Sequence, residues 1–177
     1  MHRLFVALRP PPAIRARLIA AMGGVPGARW QSDEQLHVTL RFIGEVEAHV
    51  AEDIALALAG VRFPPVEVML DGVGSFARRG RMHALWAGVS PHDALAALHR
   101  KVDQAIVRAG LAPEGRAYLP HITLARLNAS ARASEGFLAD QAGLASAAFA
   151  IDHFILFESH LGHEGVSYRA VERYSLG

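Results

Sequence analysis

Apolar and polar residues along this chain change period several times, and the changes mark its elements. Residues 3–9 hold a short apolar run that includes Phe5 and Val6 and predict a strand; the prolines at 10–12 then open a helix to about Met22. Gly23-Gly24 and Pro26-Gly27 make a turn. A second strand is expected over residues 36–43, ended by Gly44, and an Ala/Leu-rich amphipathic helix over 46–58, closed by Gly60. Residues 66–70 alternate weakly and lead into Asp71-Gly72-Val73-Gly74, which reads as a turn. Residues 82–89 form another strand. Ser90 and Pro91 supply an N-cap and a first-turn proline for a helix to about Ala109, with Leu95, Leu98, Val102, Ala105 and Ile106 on one face and Gly110 after it. Residues 121–126 read as a strand, 131–141 as a helix, and 149–158 and 168–174 as the last two strands. Strand-helix alternation is too irregular for a parallel doubly wound fold, so the expected class is α+β with antiparallel sheet.

A chain of 177 residues fits one domain, or two small lobes sharing a core, and can bury roughly 70% of its unfolded surface. It has no cysteine, which excludes disulfides, thiolate nucleophiles and Cys-based zinc sites and suits a reducing cytoplasm. The apolar run at 4–8 is too short for a signal peptide or for the roughly 20 residues of a membrane span, so a soluble, cytoplasmic protein with no membrane partner is expected. Net charge of +1 argues against coating nucleic acid by charge alone. Seventeen arginines against one lysine, Lys101, read as codon bias in a GC-rich genome, so each arginine has to be argued by position.

The chemistry stands out at the threonines. There are only two, and each lies two residues after a histidine, in His37-Val38-Thr39-Leu40 and His121-Ile122-Thr123-Leu124. With ten histidines in the chain, chance gives roughly three in a thousand for that coincidence. In a strand, positions i and i+2 share a face about 6.6 Å apart. Each histidine then projects beside its threonine, while Val38, Leu40, Ile122 and Leu124 point into a core. The solvated face of a half-buried strand explains one such tetrapeptide well and a matched pair poorly. Two facing imidazoles suit opening of a strained cyclic phosphodiester. A neutral one takes a proton from attacking water, and a protonated one gives a proton to the leaving ribose oxygen. The threonine hydroxyls can bond the non-bridging oxygens as charge gathers there, and ring strain lets the pair work without a metal. The residues alone do not decide which histidine is the acid.

Longer stretches around these motifs carry a resemblance: Arg3-Leu4-Phe5-Val6-Ala7, Leu36 to Gly44, Leu85-Trp86-Ala87-Gly88-Val89, Pro120 to Arg126, and Phe154 to Ser159 followed by Tyr168 and Tyr174. Over nearly its whole length the chain resembles the 2H phosphoesterase superfamily, and within it the RNA 2′,3′-cyclic phosphodiesterases historically named 2′-5′ RNA ligases. The resemblance implies a single domain over 1–177 with two pseudo-symmetric antiparallel-sheet lobes around a central cleft, each lobe giving one H-x-T-L strand. It implies His37 as proton donor, His121 as proton acceptor, Arg126 on the phosphate, and neither metal nor cofactor. Its substrates are RNA ends bearing 2′,3′-cyclic phosphate, tRNA fragments among them, and its product is a 2′-phosphomonoester. Strand parity disagrees about Arg126, because an odd offset of five should point it away from His121. Arg41, four past His37, keeps the correct parity and is a second phosphate-binding candidate beside Thr39 and Thr123.

Other features weigh less. Arg78, Arg79 and Arg81 are expected in a solvated loop, although they could touch an RNA backbone. Phe5 could stack a base or pack in the core, and Trp30, beside Arg29, could stack as well. His160 and His163 lack a third ligand at zinc spacing. His92 and His99 read as a surface pair on one helix face, with His99 bonded to Asp103. Gly72-Val73-Gly74 lacks the context of a nucleotide loop, and no G-K-S/T occurs. Three rival readings stand: 2′-5′ ligation as the reverse reaction with the histidine roles exchanged, hydrolysis of small cyclic nucleotides, and an RNA-end binding module without turnover. A monomer is the default expectation.

Overall fold

A computed structural model of the chain describes residues 1–128 and 134–177. In chain order its elements are β1 (His2–Leu8), α1 (Pro12–Ala21), β2 (Ala28–Trp30), β3 (Val38–Val46), α2 (Ala48–Leu58), β4 (Val66–Arg78), β5 (Arg81–Ser90), α3 (His92–Arg108), β6 (His121–Leu127), α4 (Ser134–Asp140), β7 (Phe149–Ile151), β8 (His153–Gly162) and β9 (Gly165–Ser175). Eight strands follow one path, β7-β4-β5-β6-β3-β1-β8-β9, with β2 added against β6. Neighbours along the path pair antiparallel, so the class is α+β with antiparallel sheet, as the pattern predicts. The two halves of the path meet between β3 and β6 at a single residue pair, Val38 with Ile122. Each half therefore begins, at the seam, with one of the H-x-T-L strands.

Alternation along the strands separates two faces. Leu4, Val6, Leu8, Val38 and Leu40 from one half and Ile122 and Leu124 from the other bury their side chains in a common core. The apolar face of α3 (Leu95, Leu98, Val102, Ala105, Ile106) packs into the same core. Removing each large aliphatic side chain of this kind from water stabilises the fold by about 1.5–3 kcal/mol. On the opposite face Phe5, Ala7, Ile155 and Phe157 form a smaller cluster with Tyr168 against it, so β1 is buried on both sides.

The strands differ from the sequence expectation where glycine was read as punctuation. β3 runs on through Gly44, which takes φ +92°, to Val46. β4 runs on through Asp71-Gly72-Val73-Gly74 and turns only at Arg79-Gly80, with φ +54° and +76°. A register shift between Leu70 and Val73 absorbs that stretch. Gly72 supplies the left-handed backbone there at φ +73°. Gly74 makes room for an aromatic ring: a Cβ there would fall 2.3 Å from the Trp86 indole. Residues 149–158 form two strands rather than one, because β7 pairs with β4 and β8 with β1, and the chain changes partner at Asp152. Three-residue β2 has too little pattern to be read in advance. Ser90 ends β5, and Pro91 rather than Ser90 holds the N-cap position of α3 without a side-chain cap bond. Of the helix expected over 131–141, residues 131–133 lie outside the described residues, and α4 covers Ser134–Asp140.

Candidate active site

His37 stands just before β3, and His121 opens β6. From each histidine onward, seven residues show the same burial sequence: half-buried, buried, half-buried, buried, buried, exposed, half-buried. The doubled buried position is the trace of a bulge. On β1 and β3, Val6 pairs with Arg41 and Ala7 with Thr39, leaving Leu40 as the extra residue. On β5 and β6, Leu85 pairs with Ala125 and Trp86 with Thr123, leaving Leu124 as the extra residue. A bulge resets the two-residue alternation. The fourth position after each histidine, Arg41 or Ala125, thus turns into the core. The fifth, Phe42 or Arg126, turns to the cleft.

Arg126 accordingly faces the same cavity as His121 despite its odd offset, and Arg41, the residue of correct parity, does not. Arg41 is buried, with its Nε donating to Asp103 Oδ1 at 2.7 Å and its other nitrogens to the carbonyls of Phe42 and Ala112. It ties β3 to α3, so its phosphate-binding candidacy is withdrawn. Asp103 is taken by Arg41 and not by His99, contrary to the helix-face expectation. His99 is buried as well. Its ring stacks on Tyr118 at 4.3 Å, and Nδ1–H donates to the Leu40 carbonyl at 2.6 Å, while Tyr118 Oη donates to the Thr39 carbonyl at 2.9 Å. These two side chains hold the backbone of the first bulge. In the second, the Leu124 carbonyl accepts from the Gln31 amide at 2.8 Å.

The cleft is a cavity of about 650 Å³ whose walls include His37, Thr39, His121, Thr123 and Arg126. Val38 faces Ile122 across the seam, and continuing that register by one residue sets His37 across from Thr123 and His121 across from Thr39. Both imidazoles are oriented alike. His37 Nδ1–H donates to the Gln35 carbonyl at 2.7 Å and His121 Nδ1–H to the Leu119 carbonyl at 2.8 Å, each two residues back. A carbonyl only accepts, so Nδ1 carries the proton in the neutral rings and Nε2 is left as the basic nitrogen. His37 Nε2 receives the Thr39 hydroxyl at 3.0 Å. Each ring also has an aromatic wall: Phe5 at 5.0 Å and Tyr168 edge-on at 5.4 Å for His37, Phe76 edge-on at 4.8 Å and Trp86 at 6.2 Å for His121.

That enclosure sets the electrostatics. Burial pushes His37 down to about 4, helped by the neighbouring charges of His121, Arg9 and Arg126 and opposed by the Gln35 hydrogen bond. Burial and Arg126 lower His121 as well. Tyr168 is pushed up by burial, with Arg126 opposing. The cleft thus favours neutral imidazoles, with Arg3 and Arg126 on its walls, an arrangement suited to receiving an anion.

Phe5, open between base stacking and core, is almost buried and packs on His37 and Phe157. Trp30 packs on Phe137 rather than presenting a free ring. Arg78, Arg79 and Arg81 are exposed at the β4–β5 turn. His160 pairs with Glu158 at 2.9 Å, and among the described residues no cluster of three or more His, Cys, Asp or Glu could hold a metal ion. Phe42, Phe76 and His83 also line the cavity and were not singled out in the sequence. Phe42 holds the position equivalent to Arg126, so an alignment of the two motifs carried one residue past parity would have found it.

Known proteins resemble this chain in sequence and in fold. The family model described as the 2′-5′ RNA ligase superfamily matches residues 10–163. An RNA 2′,3′-cyclic phosphodiesterase of Aeropyrum pernix is 39% identical over 114 residues, 64% of this chain and 64% of that protein. One of Escherichia coli is 29% identical over 179 residues, 99% of this chain and 97% of that protein. Among solved structures, apo LigT of E. coli superposes with a TM-score of 0.79 at 27% identity, covering 99% of this chain and 97% of LigT. The chain belongs to the 2′-5′ RNA ligase superfamily.

Proposed function

We propose that this protein hydrolyses 2′,3′-cyclic phosphodiester ends of RNA to 2′-phosphomonoesters, using His121 as base and His37 as acid. The observation that carries the reading is the pair of Nε2 atoms, each fixed by a backbone carbonyl behind it, on one cavity with both threonines and Arg126. Relatives named RNA 2′,3′-cyclic phosphodiesterase support the substrate class.

In the proposed reaction a water attacks phosphorus and gives its proton to His121 Nε2 as the P–O bond forms. The P–O3′ bond breaks, and O3′ takes the proton from His37 Nε2. The ester to O2′ remains. Thr39, Thr123 and Arg126 receive the non-bridging oxygens, where charge concentrates. His37 must be protonated for this step, yet its burial disfavours that proton. A bound phosphodiester anion reverses the balance, because an opposite charge within about 4–6 Å raises a histidine by roughly 1–3 units. Substrate thereby brings with it the condition for its own acid catalyst. Two imidazoles and a guanidinium supply the charge stabilisation a metal would otherwise give.

The test is turnover of an oligonucleotide ending in 2′,3′-cyclic phosphate, with EDTA present and the product isomer identified. Replacement of either catalytic histidine, H37A or H121A, is expected to lower kcat/KM by about 10²–10⁴-fold. Undiminished activity in those variants would overturn the mechanism, and abolition by EDTA would overturn its metal independence.

A further inference from the structure

A second groove adjoins the cleft. It measures about 740 Å³ and shares Gln31 and Val166 with the active-site cavity, so the two spaces are continuous. On its wall is Arg29 of β2, an exposed residue whose register partner on β6 is Arg126. Residues directly opposite on antiparallel strands project from the same face, with their Cα atoms about 4.5–5.5 Å apart. The two guanidiniums therefore start side by side, Arg126 serving the cleft and Arg29 the next groove.

Arg29 is held for such a role. Among the described residues it makes no ion pair with a carboxylate. Its guanidinium rests on the β8–β9 turn, where a Cβ on Gly165 would fall 2.9 Å from one of its nitrogens. Gly165 has φ +107°, a backbone few other residues adopt, so the turn both bends and leaves room for the arginine. Gln35 fixes the same hairpin, its Nε2 donating to the Val166 carbonyl at 2.8 Å. Glu164 also lines the groove and is the one opposing charge.

We infer that Arg29 binds the phosphodiester on the 5′ side of the terminal nucleotide, so that the RNA strand leaves the cleft past Gln31 and Val166. This rests on the proposed cyclic-phosphate reading and narrows it: the preferred substrate is an oligonucleotide rather than a cyclic mononucleotide. The terminal nucleoside spans the two arginines, with the cyclic phosphate on Arg126 and the next phosphate on Arg29. A phosphate contact positions the strand without reading its bases, so the preference is for chain length and not for sequence.

The experiment compares a dinucleotide ending in 2′,3′-cyclic phosphate with the matching cyclic mononucleotide that lacks a 5′-phosphate. In R29A the ratio of kcat/KM for the dinucleotide over the mononucleotide falls about five- to tenfold, R29K recovers most of it, and the salt slope for the dinucleotide drops by about one. An unchanged ratio in R29A overturns the inference, as does a loss shared equally by both substrates. A 5′-phosphorylated cyclic mononucleotide gives a third arm. If it matches the dinucleotide, a single 5′-phosphate suffices and the strand preference is overturned. Fluorescence anisotropy with a labelled 3′-phosphorylated oligonucleotide reads the groove without turnover. There R29A weakens binding by a similar factor, and wild-type affinity in R29A refutes the groove even if no cyclic phosphate is ever hydrolysed.

Discussion

Arg126 and Arg41 occupy neighbouring offsets after their histidines and have opposite roles. Arg126 stands exposed at the cavity wall and lowers both imidazoles. For R126Q two effects follow on the proposed mechanism. Loss of a charge-assisted bond to the phosphate lowers kcat/KM by about 10–100-fold, corresponding to roughly 1.5–3 kcal/mol. Removal of the positive charge lets both histidines rise, so the maximum of the kcat/KM profile is expected at higher pH than in the native protein. A pH series on both proteins checks this, and its limbs belong to the histidine pair rather than to either ring. Arg41 gives the contrast: R41A leaves the half-buried Asp103 with the Glu114 amide alone, strips the Phe42 and Ala112 carbonyls of a donor, and lowers unfolding stability by about 1–3 kcal/mol, read by urea titration. The two tetrapeptides were legible because threonine occurs nowhere else in the chain. Strand parity misplaced the arginines, and only the family resemblance pointed to Arg126, because a period of two holds only as far as Leu40 and Leu124 and nothing in either tetrapeptide announces an extra residue.

At the scale of elements, α3 was the most legible, since five apolar positions at helical spacing all reach the core. The β4–β5 hairpin was the least. Glycine marks turns, bulges and close approaches alike, and in β4 it serves the last two. Gly74 is where this bears on the site, because the Trp86 ring above it is also a wall of His121. G74A must displace either the strand or the indole. We expect a destabilisation of about 1–3 kcal/mol from overpacking, measured by denaturant titration, together with a drop in kcat as His121 loses its wall. Retention of both native stability and native kcat would show that the ring yields freely. Strand β2 and the β7–β8 break escaped the sequence for another reason: partner choice, not local pattern, decides where such short strands begin and end.

For the whole molecule, the buried histidine makes acid the weak side of stability. The folded state lowers His37 from about 6.5 to about 4, so the unfolded chain binds the extra proton more readily between those values. Stability is full above pH 6.5 and declines as pH falls toward 4. Glu158, held below the usual carboxylate range chiefly by its hydrogen bond with His2, adds to the loss at the acid end of that window. Urea midpoints are therefore higher at pH 7 than at pH 5, and H37Q, which cannot titrate, narrows the gap. Equal midpoints at the two pH values would contradict the burial assigned to His37.

The seam between the sheet halves also bears on regiochemistry. A cleft built from two equivalent histidine–threonine strands is nearly degenerate, since a cyclic phosphate could enter with either ribose oxygen toward His37. Each orientation would expel a different oxygen, and the two together would yield a mixture of 2′- and 3′-phosphates. The two sides differ in their aromatic walls and at the cleft-facing position where the strands disagree, Phe42 with Arg3 over its ring on one side and Arg126 on the other. On the proposed mechanism, that asymmetry protects the uniformity of the product more than the speed of its formation.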